Sequence, residues 1–199
     1  MIKDLKEAIK FLRRHSKALK IAILVFLAGA IFGYMEYTNV LAYRQLYEQI
    51  FEQSVGRFIE LEGTELAKGI FFNNIRASVL GLCSGILPFV FFPVFNIAGN
   101  GITTGAAIAS VSITTGRDAS SLVLLGILPH GIFEITALVV AIALGITLCM
   151  NVTKALLRKP HEQIAEVLDE TARCYVLLVL PLILIAAVVE TYITPMLLG

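Results

Sequence analysis

Residues 128–134 read LPHGIFE, flanked by SLVLLGI (121–127) and ITALVVAIALGITLCM (135–150). A histidine and, four residues later, a glutamate stand in a segment otherwise fit for a lipid bilayer. An ionisable side chain at bilayer depth costs roughly 2.5 to 3.5 kcal/mol on insertion scales, so it persists only where something compensates it. How the chain compensates His130 and Glu134 therefore decides how its helices must be arranged. Four residues apart on a helix, the two side chains share a face and can point at one ion or one proton.

The composition agrees with the bilayer reading. Of 199 residues, 57% are hydrophobic and 16% charged, and the mean hydropathy is +0.83. A water-soluble domain of that kind would expose more apolar surface than water tolerates, so the expected class is an all-α integral membrane bundle in a single domain. The net charge of +1 gives no ground for a nucleic-acid partner, and none is expected; membrane lipid is. Cys83, Cys149 and Cys174 stand in or beside apolar runs without metal-type spacing and read as small buried hydrophobes. The first twenty residues carry too many charges before the first apolar run to resemble a cleaved signal peptide, so the chain reads as mature from Met1.

Outward from residues 128–134, the apolar runs predict five spans. A basic helix over 1–18 precedes a first span over 19–35, just long enough to cross ~30 Å at ~1.5 Å per residue. Apolar residues at 43, 46, 47, 50, 51, 55, 58 and 59, with Gln45, Glu48, Glu52, Gln53 and Arg57 opposite, predict an amphipathic helix within 40–66, on the membrane surface or against a partner. Second and third spans are expected over 70–92 and 95–113, parted by FFPVFN. Gly81 with Gly85, and Gly101, Gly105 and Ala109, recur every fourth residue, a spacing that lets helix backbones approach in lipid. Residues 120–150 lack any basic group and exceed the hydrocarbon thickness. The expectation is a break at Pro129: a short re-entrant or interfacial segment over 120–128, then a fourth span over 129–150. A polar helix over 151–173 leads to the last span, 175–198.

Basic residues set the expected orientation. Lys3, Lys6, Lys10, Arg13, Arg14, Lys17 and Lys20 crowd the start, whereas the loop of the amphipathic helix opposes Arg44, Arg57 and Lys68 with Glu48, Glu52, Glu60, Glu62 and Glu65. The N-terminus is expected in the cytoplasm and the C-terminus outside. On that topology Asn73, Asn74, Arg76, His130, Glu134 and Glu190 all fall in the outer half of the membrane, as a shared site requires. His130, Glu134 and Glu190 are the candidate metal ligands, of types that suit zinc or another divalent ion with a position left for water. Two other readings stand beside this one: a structural ion pair of Glu134 and Glu190 with Arg76, and a proton or ion relay. Asn73 and Asn74 read as helix-start partners of the backbone, and Asn100 as a cap or turn at the start of the third span that can also line a cavity. His15 and His161 lie in charged, solvated stretches and carry no functional weight.

Four motifs in order, FFNNIRASVLG (71–81), NGITTG (100–105), LPHGIFE (128–134) and LLVLPLILIAAVVETYITP (177–195), resemble the stage II sporulation protein M family of multi-spanning membrane proteins. The resemblance implies a five-span helical protein. It also implies a role like that of the family's namesake, a membrane anchor for secreted peptidoglycan-degrading partners. Asn73, Asn74, Asn100, Gly101, Pro129, His130, Gly131, Glu134 and Glu190 are the positions that match its motifs.

Three functions follow as expectations. A scaffold would use the amphipathic helix to recruit an envelope protein or a second copy of the chain, making a homodimer. A small-ion transporter or channel would use broken helices and the buried cluster. An intramembrane enzyme would use a metal-activated water with Glu134 or Glu190 as base, but no nucleophilic serine or cysteine is placed beside them. The scaffold is the leading expectation and ion transport the second.

Overall fold

The computed structural model describes residues 2–58, 60–89 and 91–198. Ile59 and Val90, and the side chains of Gln53, Val55 and Arg57, on which part of the expected pattern falls, lie outside the described residues. Among the described residues there are seven helices and no strand: α1 Ile2–Arg14, α2 Ser16–Asn39, α3 Leu41–Val55, α4 Gly63–Cys83, α5 Phe92–Thr115, α6 Ala119–Leu156 and α7 Ile164–Leu197. Three of them, α2, α6 and α7, are long and apolar enough to cross a membrane. Five spans were expected, and the other two fall short for a compositional reason: α4 carries Glu65, Lys68, Asn73, Asn74 and Arg76, while α5 is built largely from Gly, Ala, Ser, Thr and Asn.

The expected break at Pro129 does not occur. Helix α6 runs without interruption from Ala119 to Leu156. Proline ordinarily stops a helix because its ring collides with the carbonyl four residues back and it has no N–H to donate. Here the turn before it is widened: Leu128 N–H donates to Val123 O, five residues back. The same device precedes the other two prolines of the long helices. Leu180 N–H donates to Tyr175 O before Pro181, and Thr194 N–H donates to Val189 O before Pro195. A wider turn gives the ring room while keeping the preceding amide bonded, which matters where no water can satisfy it.

A real break falls instead at 84–91, several residues earlier than FFPVFN predicted. Pro88 restricts Leu87 to an extended backbone (φ −80°, ψ 111°), so α4 cannot continue. Phe89 and Phe91 then take left-handed conformations (φ 66° and 50°), uncommon for side chains of that size. Bonds from α6 hold this turn: Phe89 N–H donates to Thr153 Oγ1 at 3.1 Å, and Cys149 Sγ donates to Leu87 O at 3.3 Å. Helix α5 restarts with Pro93 in its first turn and ends at Gly116, whose φ of 67° closes the helix in the way glycine permits.

Two helix pairs meet backbone to backbone. Between α2 and α5, a Cβ on Gly105 would fall on Ala30 O, one on Gly101 on Phe26 O, and one on Gly33 on Ile102 O. Residue numbers on the two helices rise together (26 with 101, 30 with 105), so α2 and α5 run parallel. Between α6 and α4 with the turn that follows it, a Cβ on Gly85 would fall on Gly145 O and one on Gly81 on the Ile142 side chain, again in parallel register. Such contact maximises dispersion between helices that gain nothing hydrophobic by associating in lipid. Helix α7 runs opposite to α4 and α6, since Tyr175 meets Ser78 and Thr194 meets His130.

The remaining helices lie at the ends of the bundle. Helix α1 docks Ala8 and Phe11 on Val167 and Cys174 of α7, and the polar stretch expected as a separate helix over 151–173 is divided between the end of α6 and the start of α7. Helix α3 is shorter than the expected 40–66 amphipathic element and folds back on α2, where the Tyr37 and Tyr47 rings meet edge to face at 5.4 Å and Tyr37 OH donates to Glu48 at 2.9 Å. Leu41, Leu46, Ile50 and Phe51 remain exposed on it.

The glycine seam makes a paired prediction. Gly105→Ala must push α2 and α5 apart and is expected to cost about 1–3 kcal/mol, as overpacking does. Gly99→Ala, on the same helix but with nothing within 4 Å of its new methyl, is expected to leave stability unchanged or raised. Unfolding of the two purified variants by a denaturing detergent, against the parent, checks both.

Candidate functional site

The antiparallel run of α6 and α7 brings together residues that are sixty positions apart in the chain. His130 and Glu134 occupy one face of α6 just beyond Pro129, and Glu190 and Thr194 occupy α7 at its widened turn. One donor atom from each of His130, Glu134 and Glu190 lies within 4.8 Å of the other two. All three side chains are half-buried. Thr194, which the sequence reading did not single out, is buried, and its hydroxyl lies 3.2 Å from His130 Nδ1, a contact that orients the imidazole ring.

Helix α4 closes the site from another side. Asn73 and Asn74, expected near a helix start, lie well inside α4, which begins at Gly63. Asn74 is 9% exposed and its Nδ2 has no protein partner. Asn100 is likewise interior to α5 rather than capping it, with its amide donating to Asn96 O at 2.9 Å and Asn96 Oδ1 at 3.1 Å. Three cavities converge on these residues. One of about 350 Å³ is lined by Phe58, Leu66, Ile70, Asn73, Asn74, Glu134 and Glu190. A smaller one of about 80 Å³ joins Asn73, Asn74, Asn100 and Glu134, and one of about 200 Å³ joins Asn100, His130 and Glu134. Glu134 lines all three.

Arg76 is not part of this arrangement. Two positions along α4 from the buried Asn74, it points to the far side of the helix and is exposed. Among the described residues no lysine or arginine pairs with Glu134 or Glu190, so the ion pair weighed from the sequence does not form. Two ionised carboxylates that close repel by about 3 kcal/mol or more at an effective dielectric near ~20. That repulsion adds to the cost of placing each in the bundle, so the pair requires a proton or a cation between its members.

A second polar junction escaped the sequence reading. His15 lies between α1 and α2, with Nδ1 3.1 Å from Phe11 O and Nε2 2.7 Å from Glu162 Oε1, and Arg14 lies 3.5 Å from the other oxygen of Glu162. Glu162 N–H also donates to Asn151 Oδ1 at 3.0 Å. The partners are 147 positions apart, so no local spacing could have revealed them. The Ser78–Tyr175 hydroxyl pair at 2.8 Å, which ties α4 to α7 beneath the carboxylates, is hidden in the sequence for the same reason.

Two substitutions test this placement. Arg76→Ala is expected to change stability by no more than about 0.5 kcal/mol, as exposed sites do. Ser78→Ala leaves the Tyr175 hydroxyl short of its partner and is expected to cost about 1 kcal/mol. Detergent unfolding of both proteins measures them side by side.

Comparison with known proteins follows the same residues. An uncharacterised protein of Methanocaldococcus jannaschii is 30% identical over 175 residues, covering 88% of this chain and 92% of its own. A second from the same organism is 27% identical over 199 residues, covering 96% of this chain and 87% of its own. No solved structure matches the chain. The family model described as stage II sporulation protein M matches residues 22–195, nearly all of the bundle and every residue of the cluster, and the chain belongs to that family.

Proposed function

We propose that this protein is a membrane scaffold that presents a fixed docking face to a partner in the membrane or cell envelope, either an envelope protein or a second copy of the chain. The observation that carries the reading is the exposed apolar surface of α3. Leu41, Leu46, Ile50 and Phe51 are exposed there, and the Tyr37–Tyr47 contact and the Tyr37–Glu48 hydrogen bond fix the helix to the bundle. Exposed apolar side chains on a helix held in a set orientation are what a docking surface needs. The backbone-to-backbone seams α2/α5 and α4/α6 support the same role, because helices locked in this way make a rigid frame.

In this reading the chain crosses the membrane five times, with the N-terminus in the cytoplasm and the C-terminus outside, so α3 lies on the outer side. The helix directions are those of a chain that crosses back and forth: α2 and α5 run one way, α4 and α6 run together, and α7 runs against them. The small-residue composition of α5 suits a helix shielded by neighbours from lipid.

A second reading, passage of a small ion, is favoured by the meeting of three cavities at Glu134. The two readings part on experiment. A photo-crosslinking residue at Ile50 is expected to capture a discrete partner band in cells, lost when Leu46→Glu and Phe51→Glu are added, while the same probe at Gly99 captures none. Under the scaffold reading, purified protein in liposomes passes neither protons nor divalent cations above the rate of empty vesicles. Flux that falls with Glu134→Gln would reverse the choice.

A further inference from the structure

The convergent side chains of α6 and α7 offer one imidazole nitrogen and two carboxylates from three residues. We propose that His130, Glu134 and Glu190 bind one divalent transition-metal ion of the zinc or manganese class, whichever reading of the protein's function holds.

Three independent features carry this. The first is distance. Donor atoms within 4.8 Å of one another need close by only about 1 Å to surround an ion at bonds of ~2.0–2.2 Å, a movement that side-chain rotation supplies. The second is charge. A divalent ion cancels the two carboxylates while the imidazole stays neutral, so the loaded site has no net charge, and Arg76 is exposed elsewhere and supplies nothing. A single shared proton would leave one negative charge in the bundle. The third is the surrounding shell. Thr194 Oγ1 lies 3.2 Å from His130 Nδ1; with the proton on Nδ1 it accepts that hydrogen bond and Nε2 is offered to a metal, as with outer partners of metal-bound histidines. On the opposite wall, Asn74 Nδ2 is buried without a protein acceptor beside Glu134. An oxygen ligand in the cavity is an acceptor of the right kind at that wall.

The ligand chemistry selects the ion. Magnesium and calcium favour all-oxygen sites, and magnesium holds several waters in a strict octahedron. A nitrogen with two carboxylates suits zinc, manganese or ferrous iron. The cavity of about 350 Å³ beside Glu134 and Glu190 leaves room for a further ligand.

The test uses the full chain purified in detergent, stripped with EDTA, desalted, and titrated with Zn2+ or Mn2+ in excess Mg2+. One ion per chain by elemental mass spectrometry is expected, with binding unmoved by Mg2+ or Ca2+. His130→Ala and the double variant Glu134→Gln/Glu190→Gln are expected to lose it, and Thr194→Val to weaken it about tenfold. The double variant keeps the shape and removes both charges, so it stays folded and its thermal unfolding becomes indifferent to EDTA, whereas EDTA lowers the midpoint of the parent. Two results overturn the proposal: less than one ion per chain in the parent, or equal binding by the double variant, which would place the metal elsewhere. Neither touches the crosslinking and flux outcomes that decide between scaffold and carrier.

Discussion

Backbone-to-backbone contact at glycine is the constraint from which the bundle follows. With lipid as apolar as any leucine, two helices associate only through close packing and polar contact, and both grow stronger as the axes approach. Gly33, Gly101 and Gly105 bring α2 against α5 so closely that no β-carbon fits, and Gly81 and Gly145, with Gly85 in the turn after α4, do the same for α4 and α6. Two rigid parallel pairs result. Helix α7 fits against α4 and α6 in the opposite direction, and the polar residues of three helices are thereby turned inward at one level. The site is a product of packing that has nothing to do with its own chemistry.

The prolines are the second constraint, and they act in the opposite sense. Each of Pro129, Pro181 and Pro195 follows a turn in which the preceding amide reaches five residues back instead of four. Such wide turns are rare and recur at functional positions, since they shift the angular position of side chains without ending the helix. Two of the three flank the cluster: His130 follows one, and Glu190 lies inside another. The glycine seams fix where the helices lie, and the widened turns adjust which way their polar residues face.

Much of this was legible in the sequence, and what was not has definite causes. The helical class, the first span, the glycine spacing and the convergence of His130, Glu134 and Glu190 follow from composition, periodicity and depth. Depth alone could not separate Asn74 from Arg76: the two lie at nearly the same level, and only helix rotation, which packing decides, turns one inward and the other outward. The break at Pro129 failed because a lone proline was weighed without the turn before it, and a widened turn has no sequence signature of its own. Thr194 went unremarked because threonine is common in membrane helices, and its value lies in facing a histidine sixty-four residues away.

The two halves of the molecule differ in how they can respond to a change of charge. The α2/α5 seam is backbone against backbone and has no slack. Where α6 and α7 meet at the cluster, His130 reaches Thr194 through side chains and each helix carries a widened turn, so a proton or ion arriving between Glu134 and Glu190 acts on a contact of side chains rather than of backbone. Helix α7 then continues unbroken to Ile164, about 39 Å away along its axis at ~1.5 Å per residue. There it carries Val167 and Cys174 against α1, beside the His15–Glu162 junction. The cluster and the basic N-terminal helix are therefore joined through one helix, α7, whose widened turn before Pro181 lies between them.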